Sequence, residues 1–447
     1  MTNEKYGLIG KTLVHSYSKE IHEALGRYQY QLFSLAEDEM PDFINARDFR
    51  GLNVTIPYKK DVIPLCDEVT DLARGIGAVN TLFWKNASET GFSESISQKN
   101  KILVGHNTDY EGFLYAASRA GIDFEGKGVL ILGTGGTSLM ARRAAADQNA
   151  AKIYIASRHP ETDPPSGSEI QDAGILSTVS YDQLPEIADS IDVIVNTTPV
   201  GTFPNNMQQV IRLKDFPGCQ AVIDVIYNPF KTALLLEAEK LGLKYTNGLP
   251  MLVAQATAAA GYFLGTPGAF QKENQRIIKS MKQRMGNIVL IGMPGTGKSL
   301  IGKFLAELTG KTLQDTDAKI EEEAKMTIPE IFEKEGEAGF RDREAAICKK
   351  LGKERNLIIA TGGGAILRPE NVAALRQNGT LVHITRSIDK LPTRGRPLSK
   401  NIETLKKMEA QRIPLYKAAA DITFRNNYTC SRKKLRQRVN TYILEKL

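Results

Sequence analysis

Two glycine-rich turns in this chain have the spacing to hold phosphate. One is Gly292-Met293-Pro294-Gly295-Thr296-Gly297-Lys298-Ser299, which follows the apolar run Ile288–Ile291 and precedes the helical run Leu300–Leu308. Glycines so placed let backbone amides cradle phosphates. The lysine then reaches the β and γ oxygens, and the following hydroxyl ligates Mg²⁺. Gly295, Thr296, Gly297, Lys298 and Ser299 are therefore expected to bind a nucleotide, with Ser299 on the metal.

The other turn is Gly133-Thr134-Gly135-Gly136-Thr137-Ser138, after the strand-like run Val129–Leu132 and before a helix. Here the glycines admit a pyrophosphate, and the helix N-terminus faces its charge. Ser138 stands where the general fingerprint has a third glycine. A small residue serves there, because that position only permits close packing of helix on strand. The next strand ends Ile155-Ala156-Ser157-Arg158. An acid at that point would hold the ribose hydroxyls of NAD, whereas an arginine suits a 2′-phosphate. Gly133, Gly135, Gly136 and Arg158 thus point to NADP(H).

Other groups could carry chemistry downstream. Asp315-Thr316-Asp317 would put two carboxylates on one side of an extended segment. Phe340-Arg341-Asp342-Arg343-Glu344, Gly362-Gly363-Gly364, Arg396-Pro397-Leu398 and Arg412-Ile413-Pro414-Leu415-Tyr416 follow. Each also has a bland reading: an acidic cap, a solvated helix, a glycine turn, surface arginines.

The elements that must position these residues read as α/β throughout. Residues 6–110 alternate short strand-like runs (Tyr6–Ile9, Gln31–Ser34, Leu52–Thr55) with helical stretches. Residues 126–228 repeat strand, turn and helix, the pattern of a doubly wound sheet. A third α/β unit opens at Ile288. The boundaries follow: 1–270 as one two-lobed part (about 1–110 with 245–270 as substrate lobe, about 111–244 as dinucleotide lobe), 271–286 as a polar, basic and helix-prone linker, and 287–447 as the phosphate-loop part. The 447 residues, 42% of them hydrophobic, suffice for about three cores.

The net charge of +7 divides into −8 over residues 1–270, +4 over 271–286 and +11 over 287–447. A basic last part suits an anionic ligand such as a nucleotide. Nucleic acid is set aside, because no aromatic-rich basic motif accompanies the charge. Cys66, Cys219, Cys348 and Cys430 form no Cys-x-x-Cys pair, so free thiols in a reducing cytoplasm are expected. The N-terminus shows no targeting pattern, and the longest apolar stretch, 249–264, is too short and interrupted to span a bilayer.

Over residues 6–268 the chain resembles shikimate dehydrogenase. The resemblance is carried by Gly10-Lys11-Thr12-Leu13-Val14-His15-Ser16-Tyr17-Ser18, Gly51-Leu52-Asn53-Val54-Thr55-Ile56-Pro57-Tyr58-Lys59-Lys60 and Gly77-Ala78-Val79-Asn80-Thr81. It continues through Gly105-His106-Asn107-Thr108-Asp109, Asn196-Thr197-Thr198-Pro199-Val200-Gly201, Asp224-Val225-Ile226-Tyr227-Asn228-Pro229 and Asn247-Gly248 with Gln255. It implies Lys59 and Asp109 as the catalytic pair and Ser16 and Ser18 on the substrate carboxylate. Thr55, Asn80 and Gln255 would line its hydroxyls, with Tyr227 nearby and Gly248 beside the nicotinamide. Lys19 stands where the family usually has proline, Glu23 where it has asparagine, and no second arginine follows Arg158 closely.

Residues 287–430 resemble shikimate kinase in the order and spacing of the motifs above. The resemblance implies that Asp315 helps place Mg²⁺, that Asp317 faces the substrate, and that Arg341, Gly363 and Arg412 hold shikimate. Glu344 would orient Arg341, and Arg396, on a lid, would lie over the transferring phosphoryl group beside Lys298. Leu300 replaces a usual threonine, Ser399 replaces a leucine, and the lid before Arg396 is short, which leaves Arg394 without a clear part. Together the resemblances imply NADPH-dependent reduction of 3-dehydroshikimate followed by MgATP-dependent phosphorylation of shikimate. Two alternatives stay open: a quinate-accepting dehydrogenase joined to a kinase for another polyol acid, or one half reduced to a nucleotide-binding module. The expected partners are small molecules, without nucleic acid or membrane. Oligomeric state is not legible.

Overall fold

The computed structural model describes residues 5–13, 16–86, 101–162, 175–391, 402–427 and 431–447. The chain divides into two compact units, Met1–Thr202 with Gln208–Lys279, and Phe203–Met207 with Ser280–Leu447. The first unit holds two six-stranded sheets and the second a five-stranded sheet.

In the first sheet the order is β2 (Tyr30–Ser34), β1 (Tyr6–Gly10), β3 (Gly51–Val54), β5 (Thr81–Asn86), β6 (Lys101–His106), β4 (Glu68–Val69). β1 pairs parallel with β2 and β3, while β5 runs antiparallel to β3 and β6. Both faces are buried, so the period of two separates two cores. Ile9, Leu52, Val54, Leu82 and Leu103 face Met40 and Ile44 of the helix Glu39–Asn45. Tyr6, Leu8, Phe83 and Val104 face Ala259 and Phe263 of the helix Gly248–Phe263. This helix therefore packs on the first sheet.

The second sheet is wholly parallel, in the order β9 (Leu176–Ser180), β8 (Lys152–Ser157), β7 (Gly128–Leu132), β10 (Val193–Asn196), β11 (Ala221–Asp224), β12 (Lys244–Thr246). Val129 and Ile131 pack with the helix Gly136–Asp147, and Leu130 and Leu132 with the helix Ala233–Leu241. Helices thus cover both faces. The direction of winding reverses between β7 and β10, which is where such a sheet opens a crevice.

In the second unit the order is β14 (Thr312–Asp315), β15 (Leu357–Ala360), β13 (Asn287–Ile291), β16 (Gly379–Thr385), β17 (Ile422–Arg425), all parallel. Val289 and Ile291 face one core, Ile288 and Leu290 the other.

Residues 271–286 form a short 3₁₀ turn and the helix Asn274–Met285, with Ile277, Ile278, Met281 and Met285 buried on one helical stripe among charged residues. One segment differs from expectation: Asp315-Thr316-Asp317 is not extended. β14 ends at Asp315, which caps the helix Thr316–Ala324 by accepting from the Asp317 amide at 3.1 Å. Aspartate is a strong N-cap, so the strand turns into a helix within the motif. No helix among the described residues is long and apolar enough to cross a membrane.

Candidate active sites

In the first unit a cavity of about 390 Å³ lies between the two lobes. Lys59 and Asp109 meet in it, Nζ to Oδ2 at 2.6 Å, both side chains largely buried. Lys59 sits just past β3, in a turn where Tyr58 donates to the Thr55 carbonyl and Val79 donates to the carbonyl of Lys59. Asp109 lies in the first turn of the helix Thr108–Arg119, where unpaired amides favour negative charge.

Asn80 supplies the cap this helix lacks from its own N-cap residue. Its Oδ1 accepts from the Thr108 amide at 2.7 Å and from Thr81 Oγ1 at 2.9 Å. Behind it, Asn53 donates to the Asn80 carbonyl and to Thr81, and accepts from the Tyr30 hydroxyl. Ser16 Oγ accepts from the Ser18 amide, Gln255 Nε2 donates to the Leu252 carbonyl, and Tyr227 meets Tyr17 edge-on. Ser16, Ser18, Thr55, Asn80, Tyr227, Gln255 and Gly248 all line this one cavity with the ion pair. An ammonium fixed by a carboxylate, among hydroxyls and amides, can stabilise and protonate a developing alkoxide.

Thr137, in the helix after the dinucleotide turn, lines the same cavity. At the turn, Gly133 has φ +99°, and a Cβ there would stand 3.0 Å from the Thr198 side chain. Around Gly135 and Gly136 a Cβ would meet nothing within 4 Å. That open space at a helix N-terminus fits a dinucleotide pyrophosphate. Ser138 is fully buried, in line with a packing position. Arg158 is exposed at the end of β8, free to reach a 2′-phosphate.

In the second unit a cavity of about 580 Å³ is lined by Gly295, Gly297, Lys298, Ser299, Asp315, Asp317, Arg341, Gly363 and Arg412. Lys298 curls over the loop, donating to the carbonyls of Gly292 and Met293. Thr296 is buried and bonds the Met293 carbonyl. Asn426 Nδ2 donates to the Thr296 carbonyl at 2.7 Å, and a Cβ on Gly297 would stand 2.6 Å from that nitrogen. Ser299 Oγ lies 3.0 Å from Asp315 Oδ2. These hard oxygens fit Mg²⁺, which keeps waters and phosphate oxygens rather than an all-protein cage.

Arg341 pairs with Glu344 at 2.7 Å and Glu337 at 3.2 Å. A Cβ on Gly364 would stand 2.0 Å from Arg341 Nη1, so the glycine makes room for the guanidinium. Arg412 and the Tyr416 hydroxyl both donate to the Gly363 carbonyl. Burial, with Asp315 alongside, pushes the Asp317 carboxyl up to about 6. Asp317 Oδ1, Arg341 Nε, Arg412 Nε and Glu344 Oε1 are buried without hydrogen bonds. Four such atoms around one cavity suit a small ligand bearing a carboxylate and hydroxyls.

The described substrate and catalytic candidates thus line one of two cavities; Gly133, Gly135, Gly136 and Arg158 lie at the dinucleotide turn and the end of β8, Thr296 lies within the phosphate loop, and Arg396 with the neighbouring Arg394 lies outside the described residues. Asn53, Thr137, Glu337 and Tyr416 were not singled out as site residues. Asn53 and Tyr416 stand inside the motifs quoted for the resemblance, so position within a motif could have flagged them. Thr137 stands inside the quoted glycine turn and could have been flagged in the same way; Glu337 is visible only in space.

The first unit is thus a two-lobed dinucleotide-binding fold and the second a phosphate-loop fold. The family model for the shikimate dehydrogenase substrate-binding domain matches residues 8–82, and that for shikimate kinase matches 294–447. A shikimate dehydrogenase (NADP⁺) of Clostridium perfringens is 34% identical over 262 residues, 57% of this chain and 90% of the relative. A shikimate kinase of Nitrosomonas europaea is 46% identical over 145 residues, 31% of this chain and 69% of the relative. A chorismate mutase/shikimate 5-dehydrogenase fusion from Clostridium acetobutylicum superposes with a TM-score of 0.54 at 32% identity, covering 63% of this chain and 98% of that one. The chain belongs to the shikimate dehydrogenase family in its first part and to the shikimate kinase family in its last, a bifunctional shikimate-pathway enzyme.

Glu344 anchors the second site electrostatically. Its side chain is 1% exposed. Glu344→Ala leaves Arg341 buried with only the more exposed Glu337, and should cost about 3 kcal/mol, the low end for breaking a buried pair. Thermal unfolding of the full chain, followed through loss of kinase activity, checks this; an unchanged midpoint would show the pair contributes little.

Proposed function

We propose that the first unit reduces 3-dehydroshikimate to shikimate with NADPH, and that the second transfers the γ-phosphoryl group of MgATP to shikimate. The observation that supports this most is that the Lys59–Asp109 pair and Thr137 of the dinucleotide helix share one cavity. When bound, NADPH supplies the hydride. Lys59 faces the ketone oxygen, neutralises its developing charge and delivers the proton, while Asp109 orients the lysine and bonds a substrate hydroxyl. Ser16 and Ser18 take the carboxylate. Thr55, Asn80 and Gln255 fix the ring hydroxyls, with Tyr227 alongside. Gly133, Gly135 and Gly136 hold the pyrophosphate, Arg158 the 2′-phosphate and Gly248 the nicotinamide end.

In the second unit, Mg²⁺, when bound, would supply positive charge to the phosphates. Ser299 and Asp315 hold it, and the amides of Gly295, Thr296 and Gly297 face the phosphates. Lys298 must leave the Gly292 and Met293 carbonyls to reach the γ oxygens. Arg341 and Arg412 grip the shikimate carboxylate bidentately, beside Gly363. Asp317, ionised at neutral pH, accepts the hydroxyl proton.

A coupled assay supplying 3-dehydroshikimate, NADPH and MgATP tests the whole reading; failure to form shikimate 3-phosphate would sink it. Lys59→Ala should slow NADPH oxidation roughly 10²–10⁴-fold, the usual worth of general acid catalysis, with kinase turnover preserved. Near-native oxidation would remove Lys59 from its role. Asp317→Asn should abolish ADP formation from shikimate while the dehydrogenase survives, since positioning and charge supply most phosphoryl-transfer catalysis; robust turnover contradicts it. Arg158→Ala should raise the KM for NADPH roughly tenfold, the scale of one lost charged hydrogen bond, and leave that for NADH unchanged. Equal changes for both cofactors would deny Arg158 the 2′-phosphate.

A further inference from the structure

Asp224 ends β11, and none of the roles above uses it. Its side chain is fully buried. Oδ2 accepts from the Thr232 hydroxyl at 2.6 Å. Oδ1 accepts from the Ile226 amide and from Asn196 Nδ2, each at 3.1 Å. Three donors converge on this carboxylate, and among the described residues no cation pairs with it. Burial pushes its carboxyl up to about 6, so at neutral pH it is ionised and accepts on every side.

Asn196 passes this constraint on. With Nδ2 tied to Asp224, its Oδ1 faces Thr198 and accepts from both the amide, at 3.1 Å, and Oγ1, at 2.7 Å. Thr197 donates to the Leu132 carbonyl through its amide and its hydroxyl, so the loop arcs over the end of β7. There the Thr198 methyl stands 3.0 Å from where a Cβ of Gly133 would be. The wall of the dinucleotide crevice is therefore set by a loop whose inner end hangs on Asp224.

We propose that Asp224 is a positioning residue for cofactor binding: through Asn196 it holds the Thr197–Thr198 loop against the Gly133 turn. This rests on the reading of the first unit as an NADP-binding dehydrogenase. A carboxylate that served stability alone would change the melting temperature and leave affinity below that temperature as it was.

The test is the NADPH dissociation constant of the full chain, read by nicotinamide fluorescence, with kinase turnover as an internal control for folding. Asp224→Ala should weaken binding roughly tenfold or more, the scale of one charge-assisted hydrogen bond, with kinase turnover unchanged. Asp224→Asn keeps an oxygen for Asn196 and Ile226 and should restore most of the affinity. Native affinity in Asp224→Ala, measured below its melting temperature, overturns the proposal, and so does an Asp224→Asn variant no better than alanine. Should alanine prevent folding, Thr232→Val carries the test: it removes the donor to Oδ2, and NADPH binding should weaken roughly tenfold, the scale of one hydrogen bond to a charged group. No change in that variant overturns the proposal. A native chain that binds no NADPH at all would instead sink the cofactor reading on which it rests.

Discussion

Two parallel strands cannot be joined by a tight turn; the chain has to cross back over a face of the sheet, usually as a helix. Each strand's carboxyl end therefore opens into a loop, and that loop runs into a helix N-terminus with unpaired amides. Where successive crossovers leave to opposite faces, two such loops part and a crevice opens between them. Gly133 leaves β7 and Thr197 leaves β10 at one such place, and Gly292 leaves β13 between β15 and β16 at another. The open space around Gly135 and Gly136, the phosphate loop and the cap at Asp315 all follow from that geometry.

The two cavities differ in how their polar groups stand before a ligand arrives. In the first, Lys59 already has Asp109, and the Asn80 oxygen is committed to Thr81 and Thr108. Little has to reorganise when a ring with hydroxyls enters. In the second, Asp317 Oδ1, Arg341 Nε, Arg412 Nε and Glu344 Oε1 are buried and unsatisfied. Such groups destabilise the folded chain, and a ligand that meets them recovers that energy as binding. Lys298 adds to this, because its donors are occupied by loop carbonyls that a phosphate must displace.

Much of this was legible before any coordinates. Strand ends and glycine turns are short-range features, so β7 with Gly133–Gly136 and β13 with Gly292–Ser299 could be placed from local pattern alone. The pairing of Lys59 with Asp109 could not. Fifty positions separate them, and no local rule brings a turn after β3 to a helix start after β6; only family resemblance named the pair. The helix at 274–285 was legible as a helix-prone segment, but the burial of its stripe of Ile277, Ile278, Met281 and Met285 was not, because those four residues are sparse among charges. Asp315-Thr316-Asp317 was read as extended because two acids in alternation look the same in a strand and across a capped helix start. Asp224 stands inside a quoted motif, but its partners Asn196 and Thr232 lie 28 and 8 residues away, and that convergence is visible only in space.

One contact bears on the order in which the chain becomes competent. Asn426, just past the end of β17, donates to the carbonyl of Thr296 and packs where a side chain on Gly297 would go, closing a loop of 130 residues. Contacts of such separation form late in folding, because the intervening chain must first be ordered. On a ribosome the constraint is sharper still. The phosphate loop leaves the exit tunnel well before its brace, so it waits unpinned until a further 130 residues have been made. By then residues 1–270 have long emerged, and amino-terminal domains fold first as synthesis proceeds. The dehydrogenase part can thus be assembled on a nascent chain whose kinase part is still open, and a chain that stopped before Asn426 would carry a phosphate loop without its brace.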